Sequence, residues 1–290
     1  MANLSGLNDM QKIGVALSLY NKVDELKTNV NIIRKHWSSY NEAFISVCCN
    51  DPASVATVEK LHVNAVIRGD DIPTTTKAHR RFRIFDCIRK SIGACEAEFI
   101  IHFHSDAYAI RVESILEIIE KMENTGASVA FRGRGLPFRS GKCIHGDVDD
   151  HFIIFKRQAL LDRDFFNIRV DQYTDLTHLK YLSVGNPESL MAFLIINAFS
   201  ESEMLFYTDM RESIVDSSVP PDPFYVDGVM HRSANPFNLD ETRGFFHIGD
   251  SSRLVEFLTK YGVPPELISY QTQVEQQPSV DDYMKEWLNA

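Results

Sequence analysis

The sequence predicts an α/β fold, a single domain built on a mostly parallel central sheet flanked by helices, with an elaborated C-terminal region. Three observations carry that prediction. Nearly continuous apolar runs at 12–19, 44–49 and 98–103 read as strands buried on both faces, as in a sheet covered by helices on each side. Segments whose apolar residues fall on one helical face lie between them, so strand–helix–strand units with right-handed crossovers follow. The third run stops abruptly at His104-Ser105-Asp106, which puts ligand-type side chains at the carboxyl end of a strand, where open α/β sheets present their sites.

Composition narrows the class. A chain of 290 residues with 44% hydrophobic residues can bury the core of one large domain or two modest ones, and the first is favoured. A net charge of −10 counts against a surface dedicated to nucleic acid. Five cysteines, an odd number with no C-x-x-C pair, point to reduced thiols in a cytoplasmic protein, not to a disulfide framework or a cysteine zinc site. Neither a basic-then-apolar leader at 1–11 nor an apolar run of about 18 residues occurs, so a cytoplasmic protein without a transmembrane segment is expected.

The first strand, 12–19, is followed by the loop Tyr20-Asn21-Lys22. Val23, Leu26, Val30, Ile33 and Trp37 then share one face of a helix of about four turns. The second strand, 44–49, ends in Asn50-Asp51-Pro52. Only Gly14 lies near the first turn, and it is inside the strand. The glycine-rich turns of dinucleotide-binding, P-loop and sugar-nucleotide pyrophosphorylase sites are therefore absent.

A short third strand at 65–67 leaves through Arg68-Gly69-Asp70-Asp71. The helix predicted over 77–95 buries Phe82, Phe85, Ile88 and Ile92 and carries Lys77, Arg80, Arg81, Arg83, Arg89 and Lys90 elsewhere. Such a face suits either solvent or an anion such as a diphosphate, with Arg80 and Arg81 nearest the helix start as the leading candidates. His104 and Asp106, spaced i, i+2 at a strand end, are placed to share one divalent cation; an Asp-containing turn is the alternative.

Val112, Ile115, Leu116, Ile119 and Met122 mark a further helix closed by Asn124-Thr125-Gly126. A strand at 128–131, a polar loop at 132–142, a turn at 146–150 and a strand at 151–155 follow. Asn186-Pro187-Glu188 reads as the start of a buried helix, with Asn186 as N-cap. Glu188 is there either a general base or a carboxylate favoured by the helix dipole. A strand at 203–207, a loop-like stretch at 216–237 and a strand at 244–250 come next; the last offers His247, a ligand if the fold returns it to Asp106. An amphipathic segment at 281–288 is expected to dock on the body or on a second copy as a homodimer.

In this order the motifs resemble those of glycosyltransferases of the GT-A fold, the nucleotide-sugar-dependent class, over roughly residues 12 to 260. The resemblance implies a domain at 1–265, with a nucleotide-sugar-binding half at 1–145 and an acceptor and catalytic half at 146–265, followed by a tail at 266–290. In that fold the last acid of a D-x-D motif holds a divalent metal bound to the donor diphosphate. Asp106 stands in its place, and His104 departs from the pattern at the first position. The resemblance further implies Glu188 as the base of an inverting transfer and His247 as a second metal ligand. Nucleotide contacts would come from Leu19, Tyr20, Asn21, Asp51 and Asp70, joined by Arg80, Arg81, His104 and Ser105. The cofactor would be Mn²⁺ or Mg²⁺, with the histidine favouring Mn²⁺. The partners would be a nucleotide-sugar donor and a hydroxyl acceptor such as a glycan or lipid-linked glycan, with a nucleic acid acceptor disfavoured by charge. A non-catalytic nucleotide-sugar-binding protein, a retaining transferase using the acids at 147–150, and a metal-dependent hydrolase are the competing readings.

Overall fold

A computed structural model describes residues 11–19, 21–37, 40–70, 77–133, 148–167, 191, 194–195, 197–209, 225–226, 229–230, 245–247 and 254–269. The elements in chain order are β1 (Gln11–Leu19), α1 (Val23–Asn31), β2 (Phe44–Cys49), α2 (Pro52–Val58), β3 (Ala65–Arg68), α3 (Lys77–Gly93), β4 (Ala97–His104) and β5 (Ala107–Ala109). They continue with α4 (Val112–Thr125), β6 (Val129–Gly133), β7 (Val148–Lys156), α5 (Arg157–Asp162), β8 (Met204–Asp209), β9 (Tyr225–Val226), β10 (Val229–Met230), β11 (Phe245–His247) and α6 (Leu254–Lys260).

Seven strands form one sheet in the order β3-β2-β1-β4-β7-β6-β8. The pairings from β3 through β2 and β1 to β4 are parallel, as is β6 with β8, while β7 runs antiparallel to both β4 and β6. This mixed but mostly parallel α/β sheet is the architecture expected from the sequence. Alternation along the strands builds a core on each face. Val15, Leu17 and Leu19 of β1 and Phe99, Ile101 and Phe103 of β4 join the layer containing Leu26, Val30, Ile115 and Ile119. Ala16 and Ile100 face the opposite layer, with Phe82, Phe85, Ile88 and Ile92 of α3.

Gly14 belongs to this packing and not to a ligand loop. A Cβ there would lie 2.5 Å from Cys95 Sγ and 2.8 Å from Ala97 Cβ, so these two side chains, at and just before the start of β4, leave no room for another. The described cysteines, Cys48, Cys49, Cys87 and Cys95, are free and buried. Burial pushes the thiols of Cys49 and Cys95 up to about 12, which keeps them protonated.

Several elements depart from the sequence reading. The first helix is α-helical only to Asn31; a π turn follows at Ile32–His36, and it lets the consecutive Ile32 and Ile33 both be fully buried. The segment after β2 is a helix, α2, capped by Asp51 with Pro52 in its first turn. β7 begins at Val148, so Asp149 and Asp150 lie in a strand where a turn was expected. β6 extends to Gly133 through an irregularity between Phe131 and Arg132, taking in the start of the expected loop. Inside the stretch read as loop, β9 and β10 form a two-stranded antiparallel pair. Gly126 closes α4 as expected, in the left-handed conformation at φ 75°. Met191 and Ile195 of the helix expected after Glu188 are fully buried.

The segment from α6 to Ser269 packs against α1. Leu254, Leu258, Val263 and Leu267 enter the core, Asn31 Nδ2 donates to the Leu267 carbonyl at 3.0 Å, and the Ser269 amide donates to Thr28 Oγ1 at 2.9 Å.

Candidate functional site

The carboxyl ends of the four parallel strands are stitched to one another. The Asn50 amide donates to the Leu19 carbonyl at 3.0 Å, the Gly69 amide to the Cys49 carbonyl at 2.9 Å, and the Ser105 amide to the Ser18 carbonyl at 3.1 Å. The exits of β1, β2, β3 and β4 therefore form one continuous edge. From β1 the chain turns through Asn21, which takes the left-handed conformation at φ 55°, into Lys22 at the start of α1.

Asp106 sits in the turn between β4 and β5. Its Oδ2 accepts from Lys22 Nζ at 2.6 Å, an ion pair between side chains 28% and 13% exposed. The backbone around it is held by α1: Asn29 Nδ2 donates to the Ser105 carbonyl at 2.8 Å and to the Ala107 carbonyl at 3.0 Å, and Asn29 is buried. Farther along, Trp37 Nε1 donates to the Ala109 carbonyl at 2.9 Å. From the other side β11 pairs antiparallel with β5, with Phe245 opposite Ala109, Phe246 opposite Tyr108 and His247 opposite Ala107. The ribbon is anchored by Phe245, which is fully buried and stacks on Phe152 with ring centroids 4.0 Å apart. The backbone of His247 thus lies beside the Asp106 turn, while its side chain is outside the described residues.

Tyr108, opposite Phe246 in the ribbon, is fully buried; burial, then the charges of Glu25 and Asp106, raise its phenol well above the usual value and keep it protonated. His104 ends β4 partly exposed, with its ring 5.5 Å from that of the buried His102, whose Nδ1 is 3.0 Å from the Ala16 carbonyl. Ser105 is buried. Because Ser105 and Asp106 form a turn, the strand alternation that would aim His104 and Asp106 the same way stops at His104.

The remaining expected site residues fall at the same edge with different engagements. Leu19 is fully buried and its carbonyl is bonded to Asn50. Asp51 caps α2, accepting from the Ala53 amide at 3.1 Å and from Ser54 Oγ at 2.9 Å. Asp70 follows β3 and pairs with Lys90, and its amide donates to Asp86 Oδ2 at 3.0 Å. Asp86, fully buried, also takes Arg89 at 2.6 Å and Lys90 at 3.1 Å. Burial opposes its ionisation, but the bonds from Arg89, the Asp70 amide and Lys90 outweigh it and hold the carboxyl below the usual range. Arg83 donates to the Asn50 carbonyl, and Arg89 also donates to the Phe166 carbonyl at 2.6 Å. Three of the six basic residues of α3 therefore serve the fold, tying the helix to the exits of β2 and β3. Arg80 and Arg81 lie near the start of α3, with side chains outside the described residues. Tyr20 and Glu188 also fall outside the described residues.

Lys22, Asn29 and Trp37 were not foreseen as site-supporting residues. The signal for Asn29 was a polar residue beside the buried face of a helix otherwise marked by Leu26 and Val30. Among the described residues no three His, Cys, Asp or Glu side chains gather as a metal cage, and no helix is long and apolar enough to cross a membrane. At the β4 exit the described edge offers one carboxylate, Asp106, paired with Lys22, and the backbone of His247 stands on the adjacent strand.

No family model matches the chain, and no curated protein does. In fold the chain is similar to glycosyltransferases of the GT-A type and to a nucleotidyltransferase. Residues 1–349 of TarS from S. aureus share 17% identity, covering 56% of this chain and 53% of that one, with a TM-score of 0.37. The glycosyltransferase GlyE of Streptococcus pneumoniae TIGR4 shares 10% identity over 68% of this chain and 45% of its own, with a TM-score of 0.41. The 4-diphosphocytidyl-2C-methyl-D-erythritol synthase of Anaerococcus prevotii shares 10% identity over 68% of this chain and 87% of its own, with a TM-score of 0.39. The chain spans about half the length of the TarS 1–349 structures it matches and 32% of the longer TarS structure.

Proposed function

We propose that this protein is a glycosyltransferase that takes its sugar from a nucleoside-diphosphate donor bound along the carboxyl edge of β1 to β4. One observation carries the reading: β11 returns from the far end of the chain to pair with β5, so that His247 stands beside the turn holding Asp106. A backbone-clamped carboxylate after β4, with a distant histidine on the strand paired beside its turn, would make a place for a cation and the anion it neutralises.

Asp106 and His247 would hold Mn²⁺ or Mg²⁺, which when bound supplies Lewis-acid stabilisation of the charge on the departing nucleoside diphosphate. The chain's own part is positional: Asn29 fixes the Asp106 turn, and the β1 exit through Leu19, Tyr20 and Asn21, with Asp51 and Asp70, provides the nucleoside side of the edge. Arg80, Arg81, His104 and Ser105 face the diphosphate in this reading. Glu188 removes the proton from the acceptor hydroxyl as that oxygen attacks the anomeric carbon, and the configuration inverts. The acceptor is a hydroxyl of a glycan or lipid-linked glycan, and the protein works in the cytoplasm, with the amphipathic segment at 281–288 pairing two copies.

A non-catalytic nucleotide-sugar-binding protein is the second reading, favoured by the Lys22 ion pair that already neutralises Asp106. Sugar transfer and donor affinity measured in Asp106→Asn and Glu188→Gln separate the two. The transferase reading expects Asp106→Asn to lose both and Glu188→Gln to lose rate with affinity kept. A wild-type chain that binds donor but never transfers or hydrolyses it would establish the second.

A further inference from the structure

We propose that the segment Leu254–Ser269 is a latch on the Asp106 turn: docked on α1 it keeps that helix and, through it, the turn in order, and its undocking frees the turn and the β5–β11 ribbon together. The inference stands on the fold alone and does not depend on the function proposed above.

One short stretch of α1 holds two segments that are far apart in the chain. The Ser269 amide donates to Thr28 Oγ1 at 2.9 Å and Asn31 Nδ2 donates to the Leu267 carbonyl at 3.0 Å, across separations of 241 and 236 positions. The Thr28 hydroxyl donates in turn to the Asp24 carbonyl at 2.9 Å, so its proton serves the helix and its oxygen serves the latch. Between these two residues stands Asn29, whose Nδ2 donates to the Ser105 and Ala107 carbonyls on either side of Asp106. Thr28 and Asn29 are both buried, so each depends on protein partners and not on solvent.

α1 has nine residues, too few to stay helical in water without packing. Its packing is shared with both segments: Val30 of α1, Tyr108 of β5, and Leu258 and Leu267 of the latch lie in one core cluster. The latch turns back at Gly262, in the left-handed conformation at φ 88°, and reaches Ser269 through a turn at Pro265–Leu267. Side-chain bonds and a few apolar contacts keep it in place, with no strand ladder, so it opens at lower cost than the sheet. β5 and β11 have three residues each and pair with one another, and a pair that short does not stand alone. Both therefore rely on the turn that Asn29 clamps, and the clamp relies on a helix that the latch covers.

The test is amide hydrogen exchange of the full chain, read by mass spectrometry, in wild type, Thr28→Ser, Thr28→Val, Asn31→Leu and the double variant Thr28→Val/Asn31→Leu. All four leave Asn29 and the turn itself unaltered. In the double variant the peptides covering 254–269, 105–109 and 245–247 should exchange about tenfold faster than in wild type and by a common factor, the scale of the hydrogen bonds removed. Peptides from β2 and β4 should keep their wild-type rates, and Thr28→Ser, which retains the hydroxyl, should match wild type throughout. Acceleration confined to 254–269 overturns the proposal, because the latch would then open without the turn. Equal acceleration across the whole sheet, or no acceleration at 105–109, overturns it as well. If the double variant does not fold, the two single variants decide, with a smaller common factor expected in the same three segments.

Discussion

His247 stands opposite Ala107 in the ribbon formed by β11 and β5, one position along from Asp106. Nothing local in the sequence links these two stretches. What joins them is the antiparallel pairing and the burial of Phe245 against Phe152, which fixes where the ribbon docks on the sheet. If this juxtaposition serves a cation, His247→Ala should weaken Mn²⁺ binding by at least about tenfold, the lower end of what even outer-shell changes cost a metal site. Thermal-shift titration with Mn²⁺ checks it, and an unchanged titration would remove His247 from the ligand set.

Asn29→Ala should loosen the Asp106 turn. The substitution leaves the Ser105 and Ala107 carbonyls without their buried donor, at a cost of about 2 kcal/mol in stability. Chemical denaturation gives that number. Donor affinity should fall in the same variant although Asn29 itself is buried beneath the turn. Asn29→Asp should not rescue it, because a carboxylate offers an acceptor to two carbonyl acceptors.

Asp86 ties the β3 exit to α3 and predicts an acid-sensitive component of stability. Its carboxyl is held below the usual range in the folded chain, while the unfolded chain takes up the proton near the ordinary value of about 3.9. Its contribution is therefore present above about pH 4 and is lost as the pH falls through the depressed folded value. Asp86→Ala should cost about 2–4 kcal/mol at neutral pH, since it removes the buried acceptor shared by Arg89, Lys90 and the Asp70 amide. Denaturation curves of wild type and variant should converge as the pH is lowered below 4.

Gly14→Ala should destabilise by about 1–3 kcal/mol, because the new methyl meets Cys95 and Ala97 of the closely packed neighbouring segment. Nucleotide affinity of the folded fraction should be unchanged. A loss of nucleotide binding with unaltered stability would mean that Gly14 belongs to a ligand loop after all.

The strands of the parallel half were legible because burial on both faces leaves long apolar runs, and β1, β2 and β4 lie within a residue or two of where those runs end. The turn at Ser105-Asp106 was legible for the same reason. What could not be read is what depends on distant pairing: β5 is three residues long and has no pattern of its own apart from β11. α2 was missed although Asp51-Pro52 is a helix-start pair, because the carboxylate was weighed for ligand contact before its capping role. The basic face of α3 illustrates the converse: charge at the right place in sequence proved, for Arg83, Arg89 and Lys90, to be spent on Asn50, Phe166, Asp70 and Asp86. Lys22 and Asn29 escaped notice since their meaning comes from a turn 76 to 84 positions away.

The central claim is that the edge around Asp106 binds a nucleotide sugar with a divalent cation. Thermal unfolding of wild type and Asp106→Asn, each with a panel of UDP- and GDP-sugars in Mn²⁺ or in EDTA, tests it most directly, because a ligand that binds only the folded chain raises its unfolding temperature. The account predicts that at least one donor stabilises the wild type, more strongly with Mn²⁺, and that Asp106→Asn loses the Mn²⁺-dependent part. No shift with any donor, or an equal Mn²⁺-dependent shift in Asp106→Asn, would contradict it.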